Sequence, residues 1–448
     1  MLKTGYARTD VTPPLGLPID GYYKDRFVEG VLDPLEVCCI AIECDAEKVL
    51  IISLDSCGVN VTQQFTGFRR SIEKATGVPF TNIYIGATHT HTAPAIGEGF
   101  DGEDTKAYRA WIDGKMTEAA VLAVEDLKES RMGWGRGKAP GVSFIRRFRM
   151  KDGSVQTNPG VNNPDIVAPI GDIDDHVNVV RFARKDGKDI VLATFANHPD
   201  VVGGSRVSAD WPGFTRRITE RALDDDVYCL ILNGAQGDIN HVNVHPKGGD
   251  FNDMFNDFDA VSRGYKHAKY IGRVVTGGIM QKFDKVKYGD VDAIKAASKT
   301  IRIPSNMPTK EELELAYQYE ELHKAGKDDE IPFEGMMLTT VVAEAERMIN
   351  LKDGPEYFEL TLSAIKIGPV ALLGIPGEPF NGINVGIREM TQGYENVLVT
   401  CITNGYMGYF PMKEAYDEGG YESRSSIFKS GVAELIIDAG KELLEELS

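Results

Sequence analysis

The chain has 448 residues, with 49 Lys and Arg against 67 Asp and Glu and a formal net charge of −18. A hydrophobic fraction of 42% beside 26% charged residues is that of a globular protein and excludes a disordered chain. The negative balance excludes nucleic acid and anionic membrane surfaces as main partners, because phosphate binding rests on Lys and Arg.

The first residues, MLKTGYARTDVTPP, lack a basic start followed by an apolar stretch, and no apolar run approaches the ~20 residues of a membrane span. Cys38, Cys39, Cys44, Cys57, Cys229 and Cys401 lie mostly inside apolar runs and form no CxxC pair. They read as buried thiols rather than a disulfide framework or zinc cluster. A soluble, cytoplasmic protein with no stable membrane association is expected.

Strand-like runs recur along the chain, at 37–44, 49–55, 82–90, 177–183, 190–196, 227–234, 358–368, 370–375 and 396–403. Their Val and Ile content and short length favour strands. Helical patterns intervene near Gln64–Ala75 and Tyr108–Leu127. The alternation predicts an α/β fold, a sheet flanked by helices on both faces, with no internal repeat and no linker to divide it. One domain over 1–448 is expected. Thr309 and Glu312 after Pro308 form a capping-box pattern, opening a helix to about His323. A second helix is expected over Glu334–Leu351. Together they predict a helical hairpin inserted at about 305–352, either a surface excursion or a lid. A last helix, Phe428–Leu447, carries Val432, Leu435, Ile436, Leu443, Leu444 and Leu447 on one stripe.

Six of these strands end in small residues with acids or metal ligands. The ends are Asp55-Ser56, Thr88-His89-Thr90-His91, Asn197-His198-Pro199-Asp200, Asn233 to Asn240, Pro376-Gly377-Glu378-Pro379 and Thr403 to Tyr409. Parallel strands would bring them to one crevice. Two His and one carboxylate make a common catalytic zinc set. His89, His91 and His198 supply the imidazoles, and either or both members of the His-x-His pair can ligate. Glu378, between Gly377 and Pro379, is the best carboxylate. His91 and Asp238 are candidate proton carriers, and Arg146 or Tyr421 can face an oxyanion or a substrate group. His241 and His245 are weaker candidates for substrate contact. His176 reads as structural, and His267 and His323 as solvated helix residues.

The ordered set resembles the catalytic domain of the neutral/alkaline non-lysosomal ceramidases. It runs through GYARTDVTPP at 5–14, Gly21-Tyr22, ATHTHTAP at 87–94, Asn197-His198-Pro199, SADWPG at 208–213, NGAQGDIN at 233–240, Pro376-Gly377-Glu378, Tyr406, Tyr409 and Tyr421-Glu422. The resemblance implies a mixed α/β sheet domain that hydrolyses an amide with zinc. His89, His198, Glu378 and Tyr409 would be the metal ligands. His91, Arg146 and Tyr421 would line the reacting amide, with Asp238 among the catalytic groups. Gln236, Asn240 and Tyr406 would contact substrate. The Arg146 position is ambiguous with Arg147. Where the family has its proposed catalytic serine, this chain has Asn240, so water on zinc would have to attack. An export signal and a C-terminal β-sandwich domain like the family's are not expected. A small hydrophilic substrate is therefore expected in place of ceramide, and a homo-oligomer is compatible with the sequence. Ester, lactone or glycosidic bond hydrolysis, or ligand binding without catalysis, are the alternatives.

Overall fold

The computed structural model describes residues 1–23, 25–247 and 264–448. Three topologically equivalent units make up most of it. Each is an antiparallel hairpin whose second strand crosses through a helix to a parallel neighbour. In the first unit Glu36–Cys44 pairs with Glu47–Leu54, the helix Thr62–Thr76 follows, and Ile83–Ala87 lies parallel to Glu47–Leu54. In the second, His176–Arg184 pairs with Asp189–Phe195, then come the helix Asp210–Ala222 and the parallel strand Val227–Asn233. In the third, Tyr357–Ile367 pairs with Val370–Gly374, then come the helix Asn381–Met390 and the parallel strand Asn396–Thr400. The repetition escapes the sequence because the three units share a hydrophobic rhythm and not residue identities.

The first two units join into a nine-stranded mixed sheet through Leu2–Asp10 and Lys128–Lys138. The third forms a four-stranded sheet edged by Ile294–Pro304. This is the mixed sheet flanked by helices that the sequence predicted, with one correction. Helices cover only the outer sheet faces; the inner faces meet one another. Alternation along Glu36–Cys44 shows the division. Cys38, Ile40 and Ile42 point into a core shared with Phe182, Leu192, Leu230, Ile365 and Leu372. Val37, Cys39 and Ala41 point outward beneath the helices Thr62–Thr76 and Glu103–Glu125. A core apolar on both faces favours parallel pairs, and the six strands with chemistry-bearing ends form three such pairs.

The predicted helical insertion is present as Lys310–Lys324 and Gly335–Leu351. It rises from the tip of a long hairpin in which Ile294↔Ile367 through Pro304↔Tyr357 are in register. Thr309 forms the expected capping box, its amide donating to Glu312 Oε2 at 2.7 Å. Among the described residues no helix is long and apolar enough to cross a membrane.

Three local expectations are corrected. The last helix begins at Val432, because Gly431 takes a left-handed conformation and Phe428 bridges to Ser305. Leu435 is 41% exposed while the rest of its stripe is buried. His267, expected on a solvated face, is buried at 3% exposure on the helix Gly264–Phe283, its ring 5.2 Å from that of His241.

Candidate metal centre

Each unit delivers one ligand candidate. His89 follows Ile83–Ala87 of the first unit, His198 follows Asp189–Phe195 of the second, and Glu378 follows Val370–Gly374 of the third. Their ligand atoms lie within 4.8 Å of one another, and all three side chains are buried. Glu378 Oε2 is 3.4 Å from His89 Nε2 and 3.8 Å from His198 Nε2.

The surroundings fix these atoms. His89 holds a left-handed backbone (φ 73°), an uncommon conformation for a residue with a Cβ and one that clusters at functional sites. Its Nδ1 lies 2.6 Å from the Cys57 carbonyl. That contact fixes a ring proton on Nδ1 and turns Nε2, the atom a metal would take, toward Glu378. Tyr406 donates its hydroxyl to Glu378 Oε1 at 2.9 Å, and Gln236 donates Nε2 to Oε2 at 3.2 Å. Tyr406 and Gln236, expected to contact substrate, thus orient the carboxylate. His91 Nε2 stands 3.2 Å from His89 Nε2.

Acceptor atoms from three side chains therefore converge on one point, which is the donor chemistry of a metal site. Burial alone would push the His89 imidazole down, but Glu378 and then Cys57 raise it well above its ordinary value. Burial pushes Glu378 up, but His89 and His198 hold it below the carboxylate range. Burial and then the Arg146 cation push His198 down to about 3. Burial and the neighbouring His89 hold His91 well below its ordinary value.

A second group, Cys57 with His89 and His91, meets the same proximity. One of the six buried thiols thus sits at the centre, which its sequence context did not signal beyond its place after Asp55-Ser56. Burial pushes the Cys57 thiol up, against the thiolate that a metal needs. The His-His-carboxylate set fits better.

Arg146 and Arg147 separate clearly. Arg146 is buried beside the centre, with Nη1 3.5 Å from His198 Nδ1. It donates Nε to Glu422 at 2.7 Å and Nη2 to the Gly237 carbonyl at 2.8 Å. Arg147 instead donates to Glu418 and the Gly419 carbonyl. Glu422, fully buried and also receiving Thr157, was not singled out in the sequence as the anchor of Arg146.

Tyr409 is the parallel register partner of Glu378, and its ring lies 5.5 Å from the Arg146 guanidinium. Tyr421 packs edge-on against Tyr409 at 5.6 Å, its hydroxyl 3.5 Å from that of Tyr23. Tyr22 lies 5.3 Å from the His91 ring. Tyr22 and Tyr23 form part of the rim, and their signal was the Gly21-Tyr22 motif. Gly21 beneath them is required: φ is +100°, and a Cβ would meet His91 Nδ1 at 2.7 Å.

Two predicted residues take local contacts instead. Asp238 accepts the amide of Asn381 at 2.7 Å and so caps the helix Asn381–Met390. Asn240 donates to Asn158 Oδ1 at 2.6 Å and accepts from the Val242 amide at 2.9 Å, which ties its own loop. His241 is buried against Asp200 at 3.2 Å, and His245 is exposed. Of the Gly- and Asp-rich stretch expected after Asn240, residues 248–263 lie outside the described residues.

No family model and no curated protein matches the chain in sequence. Solved structures match in fold. The neutral ceramidase of Pseudomonas aeruginosa superposes with a TM-score of 0.71 at 17% identity, covering 99% of this chain and 75% of that one. A ceramidase complexed with C2 superposes with a TM-score of 0.73 at 17% identity and the same 99% and 75% coverage. The chain therefore has the fold of neutral ceramidase.

Proposed function

We propose that the protein is a zinc-dependent hydrolase that cleaves an amide bond of a small soluble substrate in the cytoplasm. The convergence of His89, His198 and Glu378, one from each unit, carries this reading. The likeness in fold to ceramidases, hydrolases by name, supports it. His89, His198 and Glu378 would hold the ion, with Tyr409 as a fourth ligand. Bound there, zinc supplies a Lewis acid and lowers the pKa of water to ~7.

The remaining steps belong to the chain. His91 rests neutral, and its place 3.2 Å from His89 Nε2 makes it the group that carries a proton from the attacking water to the leaving amine. Arg146, clamped by Glu422 and the Gly237 carbonyl, presents guanidinium N–H groups to the developing oxyanion. Burial pushes the Tyr421 hydroxyl up to about 12, so it stays protonated and donates to the substrate. Asn240 supplies no nucleophile, and its amide is already engaged in its loop. Asp238 acts by setting the helix that follows Glu378.

The test is metal analysis and amide hydrolysis on purified protein, wild type against His198→Ala. One zinc per chain and measurable hydrolysis, both lost in the variant, support the reading. Equal metal content in both proteins would sink it.

A further inference from the structure

The two imidazoles of the centre come from strands that do not pair. In the nine-stranded sheet Ile83–Ala87 is an edge strand, and Asp189–Phe195 lies next to the opposite edge. No strand ladder therefore sets the distance between His89 and His198. Something else has to join their loops.

Threonines interleave with the histidines in Thr88-His89-Thr90-His91-Thr92. Thr90 and Thr92 both donate Oγ1 to the Ser208 carbonyl, at 2.6 and 3.1 Å, and the Ser208 amide donates to Thr92 Oγ1 at 3.1 Å. All three residues are fully buried, so these polar groups find partners in one another and not in water. The same turn reaches the other loop. Asp210 Oδ2 accepts the amide of Val202, beyond His198, at 2.8 Å, and Oδ1 accepts the Trp211 amide at 2.5 Å. Asp210 is fully buried with φ 52°, a left-handed backbone that a residue with a Cβ keeps only where its surroundings enforce it. Asp33 seats the turn, accepting Ser208 Oγ at 2.7 Å, the Ala209 amide at 3.1 Å and Arg217 Nη2 at 3.1 Å. A direct link completes it, from the His91 amide to the Pro199 carbonyl at 3.1 Å.

Building on the metal-centre reading, we propose that the turn Ser208-Ala209-Asp210 is a clasp that sets the spacing of His89 and His198 for the ion. Thr90 and Asp210 are positioning residues, acting on the ion only through the two loops. The threonines of the histidine motif and the acid after Ala209 are the clasp's mark in the sequence.

The test measures zinc affinity by chelator competition, and urea midpoints of the metal-free protein, on wild type, Thr90→Val, Thr90→Ser, Asp210→Gly and Thr4→Val. Thr4→Val is the control: it removes an equally buried hydroxyl bond, to Ser130 Oγ at 2.6 Å, on the strand Leu2–Asp10. Thr90→Val should weaken zinc binding about tenfold, and Thr90→Ser should return it to within about twofold of wild type. Glycine suits φ 52° but carries no carboxylate, so Asp210→Gly should also weaken zinc about tenfold. Thr4→Val should lower the urea midpoint and leave zinc affinity within about twofold. Unchanged affinity in Thr90→Val and Asp210→Gly, or an equal loss in Thr4→Val, overturns the clasp and leaves the metal reading standing. A wild type that binds no zinc overturns both.

Discussion

Two polar clusters meet strand ends of the first unit, one at Asp55 and one at His89, and they differ in what balances their charge. In one, Asp55 meets Arg216 at 2.7 Å, Arg216 also meets Glu36 at 2.8 Å, and Arg8 pairs with Glu220 at 3.2 Å. Its acids face arginines from the chain itself. In the other, Glu378, His89 and His198 face one another, and the nearest cation, Arg146, is drawn off by Glu422. The first cluster is complete as folded and serves as scaffold. The second has no fixed cation of its own: Glu378 is balanced by imidazoles that give up a proton when a metal binds, and that marks a site.

The contrast can be broken first at Arg216. Arg216→Met leaves Asp55 buried without its partner, while Glu36 keeps Arg8 at 3.5 Å, and should cost ~3–5 kcal/mol of stability, with or without zinc, read from urea unfolding. Glu378→Gln should do the reverse. Zinc affinity should fall by more than about 100-fold, while the metal-free protein should lose less stability than Arg216→Met costs, because the imidazoles that balance Glu378 return to their neutral form once its charge is gone. Equal destabilisation by the two changes would erase the distinction between scaffold and site.

A pH series sharpens it further. Burial raises Asp238 to about 6, against the helix amide of Asn381 that lowers it. The folded carboxyl thus holds its proton more tightly than the unfolded one, whose pKa is ~3.9. Stability should fall as pH rises from ~4 to ~6 and level off above. Asp238→Asn keeps an acceptor for Asn381 and should flatten that fall, measured as urea midpoints across the range. A wild type whose stability rises over the same window would show that Asp238 ionises freely. The smallest effect is expected at Thr309. Thr309→Ala removes the capping box and should cost ~1 kcal/mol, seen as faster hydrogen exchange in the first turn of Lys310–Lys324 with zinc content unchanged.

Much of the chemistry was legible because it falls at strand ends. His89, His198 and Glu378 each follow a Val- or Ile-rich run, and the fold joins those runs into parallel pairs. The hairpin was legible through Thr309 and Glu312, which act within one turn. Long-range geometry was not. Lys128–Lys138 was missed because its glycines lower strand propensity. Gly137 is needed there, since a Cβ would lie 1.9 Å from the Gly278 carbonyl of the helix packed on it. Leu2–Asp10 and Ile294–Pro304 were missed because they are rich in polar residues. Asp238 and Asn240 sit at the expected strand end, but spacing cannot say that one caps a helix and the other closes a loop. The place of Cys57 beside His89, and the link from Arg146 to Glu422 across more than half the chain, are properties of packing alone.

On the proposed function, the three units converge to hold one metal ion between His89, His198 and Glu378. Crystals grown with zinc and measured at the zinc absorption edge test it directly. A single strong anomalous peak is expected within ligand distance of His89 Nε2, His198 Nε2 and Glu378 Oε2. A structure with no peak there, or with the peak held by Cys57 and His91 instead, would contradict it.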